Sequence, residues 1–206
     1  ELLIDLRSES TINVGVIADT HIPDRVSRLH PQLFENLQQR KVDYIFHAGD
    51  VSTPRILEEL GGIAPVYLVT GNRDFLLRKS HPGMQVFRIN GVKTVLLHGH
   101  INPYQYWLDK IENMLTGYNF KRYRDRLLRR LPDSEVYIFG HSHHAENREE
   151  EGKLFFNPGS PSIAEFPAKR LSFGIISFHP EGRVRGEIVD LTGAVLRFGR
   201  WKTGSI

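Results

Sequence analysis

The side chains best suited to holding cations recur in five short clusters: Asp19-Thr20-His21, Gly49-Asp50, Gly71-Asn72, His98-Gly99-His100 and Gly140-His141-Ser142-His143. Carboxylate, amide and imidazole donors in this mixture, with Asp50 as the natural anionic bridge, describe a site for two divalent ions roughly 3.5–4 Å apart. Oxygen and nitrogen donors without thiolate favour Mn2+, Fe2+, Zn2+, Co2+ or Ni2+ over an all-oxygen Mg2+ or Ca2+ shell. Mn2+ is the preferred ion on this reading, with Mg2+ still admitted. Taken singly, each cluster has an ordinary explanation as a hydrogen-bonded histidine or a turn-forming Asp or Asn. Five of them in one order do not share that explanation.

The ordered set resembles the calcineurin-like metallophosphoesterases, whose pattern is D-x-H, G-D, G-N, an isolated H and G-H-x-H. Together with the short chain and the Asn157-Pro158-Gly159-Ser160 segment, it is similar to the small single-domain branch of bacteria and archaea, which contains broad-specificity phosphodiesterases. That branch also includes a eukaryotic retromer subunit that serves as a scaffold. The resemblance implies that Asp19, His21, Asp50 and His143 hold one metal and Asp50, Asn72, His98 and His141 the other. It further implies hydrolysis of phosphodiester bonds by a hydroxide bridging the two metals, whose pKa the cations depress toward neutrality.

One position departs from the pattern. The superfamily commonly places a proton-donating His after the Asn of the third motif, and here the residue is Arg73. A guanidinium does not release its proton near neutral pH, but its planar fork suits a phosphate oxygen or developing charge. The catalytic candidates beside the metals are therefore Asn72, Arg73, Asp74, expected to orient a ligand or Arg73, and His100 as a second candidate acid. His144 adjoins the last motif without being needed for either metal. His30 and His81 read as ordinary residues before prolines, and His47 could support Asp50 from behind.

These residues need a scaffold that brings strand ends together. Each cluster follows an apolar, β-rich run, at residues 14–18, 44–46, 66–69, 95–97 and 136–139. Leu29, Leu33 and Leu37 around Pro31, and Ile56, Leu57 and Leu60 between Pro54 and Gly61-Gly62, have helical spacing, giving βαβαβ in the first half. Asn90-Gly91 predicts a type I′ hairpin between strands 85–89 and 92–97. Strands at 154–157, 171–179 and 183–190 suggest a second sheet. The expected fold class is α/β: a four-layer αββα sandwich of two mixed β-sheets flanked by helices, with a helical insertion near residues 103–131. The whole chain, residues 1–206, reads as one domain.

More than forty residues separate His98 from His141, and the resembled branch crosses that gap in a shorter loop. Residues 109–130 carry seven basic side chains (Lys110, Lys121, Arg122, Arg124, Arg126, Arg129, Arg130) against Asp109, Glu112 and Asp125. Tyr104, Tyr106, Trp107, Tyr118, Phe120 and Tyr123 interleave them. Two helices, one carrying Leu108, Ile111 and Leu115 and the other Tyr123, Leu127, Leu128 and Leu131, could form a cap at the rim of the site. Such a cap would offer cations to phosphate and rings to a base, as nucleic-acid sites do. The ordinary reading is that the rings pack the helices onto the body while the arginines face water, and a third use is oligomer contact.

The chain has 206 residues, 40% of them hydrophobic, enough to bury a sizeable core. It has no cysteine, which excludes disulfides and thiolate metal sites. No apolar run reaches the length of a membrane span, and residues 1–11 lack the order of a signal peptide, so a cytoplasmic protein is expected. The expected partner is a small phosphodiester or nucleotide-like substrate, with nucleic acid admitted through the basic insertion and a homo-oligomer left open. A nuclease or phosphomonoesterase on the same site remains the alternative, ahead of a non-catalytic scaffold.

Overall fold

The computed structural model describes residues 3–75, 77–99, 117–164, 170–197 and 200–204. Thirteen strands and three helices are found among them. In chain order they are β1 (Leu3–Leu6), β2 (Ile12–Ile17), α1 (Pro31–Gln39), β3 (Tyr44–His47), α2 (Pro54–Gly61), β4 (Val66–Leu68), β5 (Met84–Ile89) and β6 (Val92–Leu97). There follow α3 (Phe120–Arg130), β7 (Val136–Ile138), β8 (Glu146–Glu150), β9 (Lys153–Asn157), β10 (Leu171–Phe178), β11 (Val184–Leu191), β12 (Ala194–Arg197) and β13 (Arg200–Thr203).

Two mixed sheets carry the molecule. One is ordered β11-β10-β2-β3-β4 and the other β1-β5-β6-β7-β9-β8, with β12-β13 a separate hairpin. Their faces are dictated by which strand residues are apolar on both sides. Val14, Val16 and Phe46 of the five-stranded sheet meet Phe87, Leu96, Ile138 and Phe156 of the six-stranded one, with the Phe46 and Phe87 ring centroids 4.4 Å apart. On the outer side of the five-stranded sheet, Ile17, Ile45 and Phe173 pack against Leu33 and Leu37 of α1 and Ile56 and Leu60 of α2. On the outer side of the other, Val95, Tyr137 and Phe155 pack against Phe120, Tyr123 and Leu127 of α3. The result is the four-layer αββα sandwich that the sequence predicts.

Local chemistry explains the element ends. Pro31 and Pro54 occupy the first turns of α1 and α2, where a missing N–H costs nothing. Leu29 lies before α1 rather than on its helical face; His30 is the cap, its Nδ1 accepting from the Gln32 N–H at 3.3 Å, while Leu29 still packs in the same core. Asn90 and Gly91 have φ of 44° and 88°, the paired positive values of a type I′ turn. Among the described residues no helix is long and apolar enough to cross a membrane.

The topology fixes where chemistry can sit. β2, β3 and β4 run parallel to one another, as do β6, β7 and β9. Backbone and side-chain bonds tie the ends of these two trios together: the Asp19 N–H donates to the Gly49 carbonyl, the Gly140 N–H to the His98 carbonyl, and the His141 N–H to Asp19 Oδ2. Six carboxyl-terminal strand ends thus meet at one edge, the usual place for a site in open α/β sheets.

The stretch expected to be a cap is in its described part a layer of the sandwich. Helix α3 covers the six-stranded sheet with its apolar face because Phe120, Tyr123 and Leu127 recur at helical spacing. The remainder of the expected insertion, including Tyr104, Tyr106, Trp107 and the face of Leu108, Ile111 and Leu115, lies outside the described residues.

Candidate metal centre

The loops after the strands turn sharply, and the residue types at the turns permit it. Asp19, His21, Asp50, His141 and His143 all adopt positive φ, between 49° and 71°. This left-handed conformation is uncommon outside glycine, though Asp, Asn and His tolerate it best, and it costs about 1–2 kcal/mol per residue. Concentrated here, it aims the five side chains back over the strand ends, as strained backbone does at functional sites.

Two glycines permit the close approach. Gly49 has φ of 92°, and a Cβ there would stand 2.7 Å from His98 Nδ1. A Cβ at Gly71 would meet Asp50 Oδ1 at 2.2 Å, so the third motif reaches its place only without a side chain.

Asp74, buried and one residue beyond Arg73, organises the main chain. Its Oδ2 accepts from the Asp50 and Gly71 N–H groups, each at 2.8 Å, and its Oδ1 accepts from Ser52 N–H at 2.8 Å. It therefore acts on the backbone of two loops, not on a ligand side chain or on Arg73.

The donor atoms fall into two groups. In the first, Asp19 Oδ1 lies 3.4 Å from His143 Nε2 and 3.8 Å from His21 Nε2, and the two imidazole nitrogens are 3.3 Å apart. In the second, Asn72 Oδ1 lies 3.1 Å from His98 Nε2 and 3.2 Å from His141 Nδ1. Asp50 stands between them, Oδ2 at 3.8 Å from His21 Nε2 and Oδ1 at 3.6 Å from His98 Nε2. Asp19 Oδ1 also comes within 4.0 Å of His98 Nε2, but its shorter approach to His143 keeps it with the first group. All seven side chains expected to be ligands are thereby brought together.

Their electrostatics suit a cation. Asp19 Oδ1 is buried without a hydrogen-bond partner, and its neighbours are nitrogens that are acceptors when unprotonated. Ligands around one ion at roughly 2.0–2.2 Å stand about 3–3.5 Å apart, close to the spacings here. His98 Nδ1 donates to the Ala48 carbonyl at 2.7 Å, which fixes the ring with Nε2 directed at Asn72 Oδ1 and Asp50.

Burial raises the Asp19 carboxyl, but the imidazoles of His143, His98 and His21 outweigh it and hold the group well below the usual carboxylate range. Burial pushes the Asp50 carboxyl up. His21 is pushed down to about 4 by burial. Burial also lowers His98, but the Asp50 and Asp19 carboxylates outweigh it and raise the group.

Other residues surround this set. Arg73 gives its backbone N–H to Asp50 Oδ1 at 2.8 Å, while its guanidinium reaches outward to Asp24 Oδ2 at 3.3 Å. His100 lies outside the described residues. His47 is fully buried; its Nδ1 accepts from the Gly49 N–H and its Nε2 faces Thr20 Oγ1 at 3.3 Å, and burial pushes it down to about 4.

Sequence reasoning missed three supports. Ser160 Oγ donates to the Asp19 carbonyl at 2.8 Å, and Asn157 Nδ2 donates to the Gly140 carbonyl at 3.1 Å and to Ser142 Oγ at 3.0 Å. The signal was a sixth strand end, at β9, followed by a polar turn but no ligand type. Asp24, the partner of Arg73, gave no signal at all.

The α3 layer touches the site loops at two points. Arg126 donates to the Gly99 carbonyl at 3.2 Å, and the Tyr118 ring stacks on His144 with centroids 4.2 Å apart.

Comparison with known proteins places this geometry in a family. The model of the calcineurin-like phosphoesterase superfamily domain matches residues 12–180. A protein named as a probable metallophosphoesterase from Methanothermobacter thermautotrophicus is 36% identical over 150 residues, covering 73% of this chain and 77% of that protein. Another so named from Methanocaldococcus jannaschii is 32% identical over 181 residues, covering 88% and 82%. Among solved structures, Vacuolar Protein Sorting 29 from Cryptosporidium parvum aligns with a TM-score of 0.67 at 25% identity, over 95% of this chain and 96% of that one. Vps29 from Entamoeba histolytica, crystallised with Zn2+, aligns with a TM-score of 0.62 at 26% identity, over 88% and 100%.

Proposed function

The chain belongs to the calcineurin-like phosphoesterase superfamily, and from that premise we propose that it is a metal-dependent phosphodiesterase. One observation carries this reading: a buried, unpartnered Asp19 oxygen faces imidazole nitrogens, with Asp50 shared between two donor groups. Asp19, His21, Asp50 and His143 would hold one divalent cation, and Asp50, Asn72, His98 and His141 the other. Mn2+ is the preferred ion; the Zn2+ in the Entamoeba histolytica relative supports a site for divalent metal without selecting it. Bound there, two such ions supply Lewis acidity toward a phosphoryl oxygen and lower the pKa of water.

The chain's own residues set the rest of the chemistry. Asp74 holds the Asp50 and Gly71-Asn72 loops at fixed separation, so the donors need no rearrangement when a substrate arrives. Arg73 stands beside the cluster in an exposed pair with Asp24, a contact weak enough to exchange for a phosphate oxygen. With arginine there in place of an imidazole, diesters with good leaving groups are the favoured substrates. His98, fixed by Ala48, keeps its other nitrogen for the metal.

The basic stretch supports a nuclease less than its composition suggests. Arg124 is committed to Glu150 and Asp125, and Arg126 is buried on the Gly99 carbonyl. A second reading, a protein scaffold, draws on the likeness to Vps29 over nearly the full chain. A complete set of metal donors favours the enzyme. We also read residues 1–206 as one metallophosphoesterase domain, since the family model over residues 12–180 takes in strands of both sheets and the strands of those sheets outside it, β1 and β11, pair with strands inside it.

The test is hydrolysis of bis(4-nitrophenyl) phosphate beside 4-nitrophenyl phosphate by metal-stripped protein, before and after adding Mn2+. Diester cleavage that appears only with metal and exceeds monoester cleavage is the expected result. Preferential monoester cleavage would make it a phosphomonoesterase, and bound metal without turnover of either would favour the scaffold.

A further inference from the structure

Phe75 is the most exposed large apolar side chain among the described residues, 70% accessible, and it sits three positions after Asn72. A ring of that size ordinarily gains by burial. Its surroundings hold it out instead. The guanidinium of Arg78 lies over one face of the ring, 4.8 Å from its centroid, and donates at the same time to the Asn72 carbonyl at 3.0 Å. One side chain therefore links the ring to the main chain of a metal-donor residue.

Hydrogen bonds tie the residues between them to the neighbouring loops. Asp74 is buried, with both carboxylate oxygens bonded to the neighbouring loops. Leu77 is buried in the core against the five-stranded sheet, and its N–H donates to the Asp74 carbonyl at 3.0 Å. The Phe75 N–H closes a tight turn on the Arg73 carbonyl at 3.0 Å. With one face backed by a cation, the ring is otherwise exposed, two positions along the chain from Arg73.

Resting on the phosphodiesterase reading, we propose that Phe75 is a stacking platform that selects diesters bearing an aromatic ring, a nucleobase or an aryl group, on one ester oxygen. The phosphate anchors at the donor cluster and Arg73, and the ring of the ester group lies on the open face of Phe75. Stacking of this kind tolerates any base, because each presents a π face. Arg78 acts as a positioning residue, fixing the distance between the platform and Asn72.

The experiment compares kcat/KM for thymidylyl-(3′→5′)-thymidine and for glycerophosphoethanolamine, a diester without a ring, using the full chain loaded with Mn2+. In Phe75→Ala the ratio of the first to the second falls about tenfold, mainly through KM, and Phe75→Tyr restores it. Metal content equal to wild type shows that the variant is folded at its site. An unchanged ratio, whether both substrates are retained or both are lost together, overturns the platform and leaves the diesterase reading standing. Turnover of bis(4-nitrophenyl) phosphate but of neither of these two alkyl diesters by wild-type protein overturns the platform; turnover of none of the three, while metal is bound, overturns the diesterase reading, and the platform falls with it.

Discussion

The donor cluster and the α3 layer are both crowded with charge and imidazole or aromatic rings, yet they are built in opposite ways. At the strand ends, donors are too few: Asp19 Oδ1 is buried without a hydrogen-bond partner, and the His21 and His143 nitrogens meet 3.3 Å apart, where only one of the two can donate. In α3, charges answer charges: Arg124 reaches Glu150 at 2.6 Å and Asp125 at 2.7 Å, and Arg148 lies over Phe120 while bonding Glu146 at 2.6 Å. A buried group left unsatisfied is costly unless something completes it, whereas a paired surface charge is complete already. We read the difference as one between residues available to a ligand and residues that satisfy one another.

The sharpest way to break this comparison is to remove the shared oxygen pair. Asp50→Ala deletes the carboxylate whose two oxygens stand between the donor groups, one toward His21 and one toward His98. Activity toward a diester should fall to background, and bound metal per chain, read by mass spectrometry of metals, should drop. Retention of most activity would refute a two-ion site bridged by Asp50.

Packing, not charge, should hold the α3 layer. Leu127→Ala empties a buried position between α3 and the six-stranded sheet and should lower the unfolding free energy by about 2–5 kcal/mol in a denaturant titration. Metal stoichiometry should be unchanged in the folded fraction. Loss of metal without loss of stability would mean that α3 belongs to the site rather than to the scaffold.

The metal-free protein should show the strain of the cluster as pH dependence. His47 and His21 are held near 4 in the folded state, below the ordinary value of 6.5. The unfolded chain therefore binds more protons between those values, so stability is fully present above about 6.5 and is lost as pH falls toward 4. His98 is shifted the other way; its contribution is present below 6.5 and is lost as pH rises through its folded value. The raised Asp50 opposes the two lowered histidines over part of the acid window. Thermal melts of metal-stripped His47→Gln against wild type isolate one member: the difference between their Tm values should change between pH 6.5 and 4 and stay flat above. A constant difference across the whole range would place the folded pKa of His47 near its ordinary value.

How much of this was readable in advance follows the physics of each region. The strand-end clusters were legible because chemistry restricts the residue type at each position and the preceding apolar runs restrict the structure, so Asp19, His21, Asp50, Asn72, His98, His141 and His143 could be named and are found together. The turn at Asn90-Gly91 was legible because few residue pairs accept two positive φ angles. Strand β8, Glu-Asn-Arg-Glu-Glu, was not, since an edge strand with mostly exposed charged residues has no apolar alternation to read. Asp74 was named, but for a ligand side chain or Arg73, and Asn157 and Ser160 were given no role: all three bond chiefly to backbone, and any short polar side chain in a turn gives the same signal. Helix α3 was read as a helix with two uses open, a cap or a layer packed onto the body, because spacing reports an apolar face and says nothing of which surface it covers; the described part takes the second.

The smallest effect is the most telling about the basic stretch. Arg124 makes two of the shortest ion pairs among the described residues, and a count of contacts would rank it among the important side chains. Both partners are partly exposed, however, and water already solvates most of what the pairs supply. Arg124→Gln should therefore leave the denaturation midpoint nearly unchanged, the more so in high salt, and leave diester kcat/KM unaltered. If the substitution instead weakened the binding of a single-stranded oligonucleotide, with a smaller dependence of affinity on salt, Arg124 would exchange its carboxylates for phosphates when nucleic acid arrives. The α3 layer would then belong with the donor cluster as a surface kept for a ligand, and complete pairing in the unbound protein would no longer distinguish the two regions.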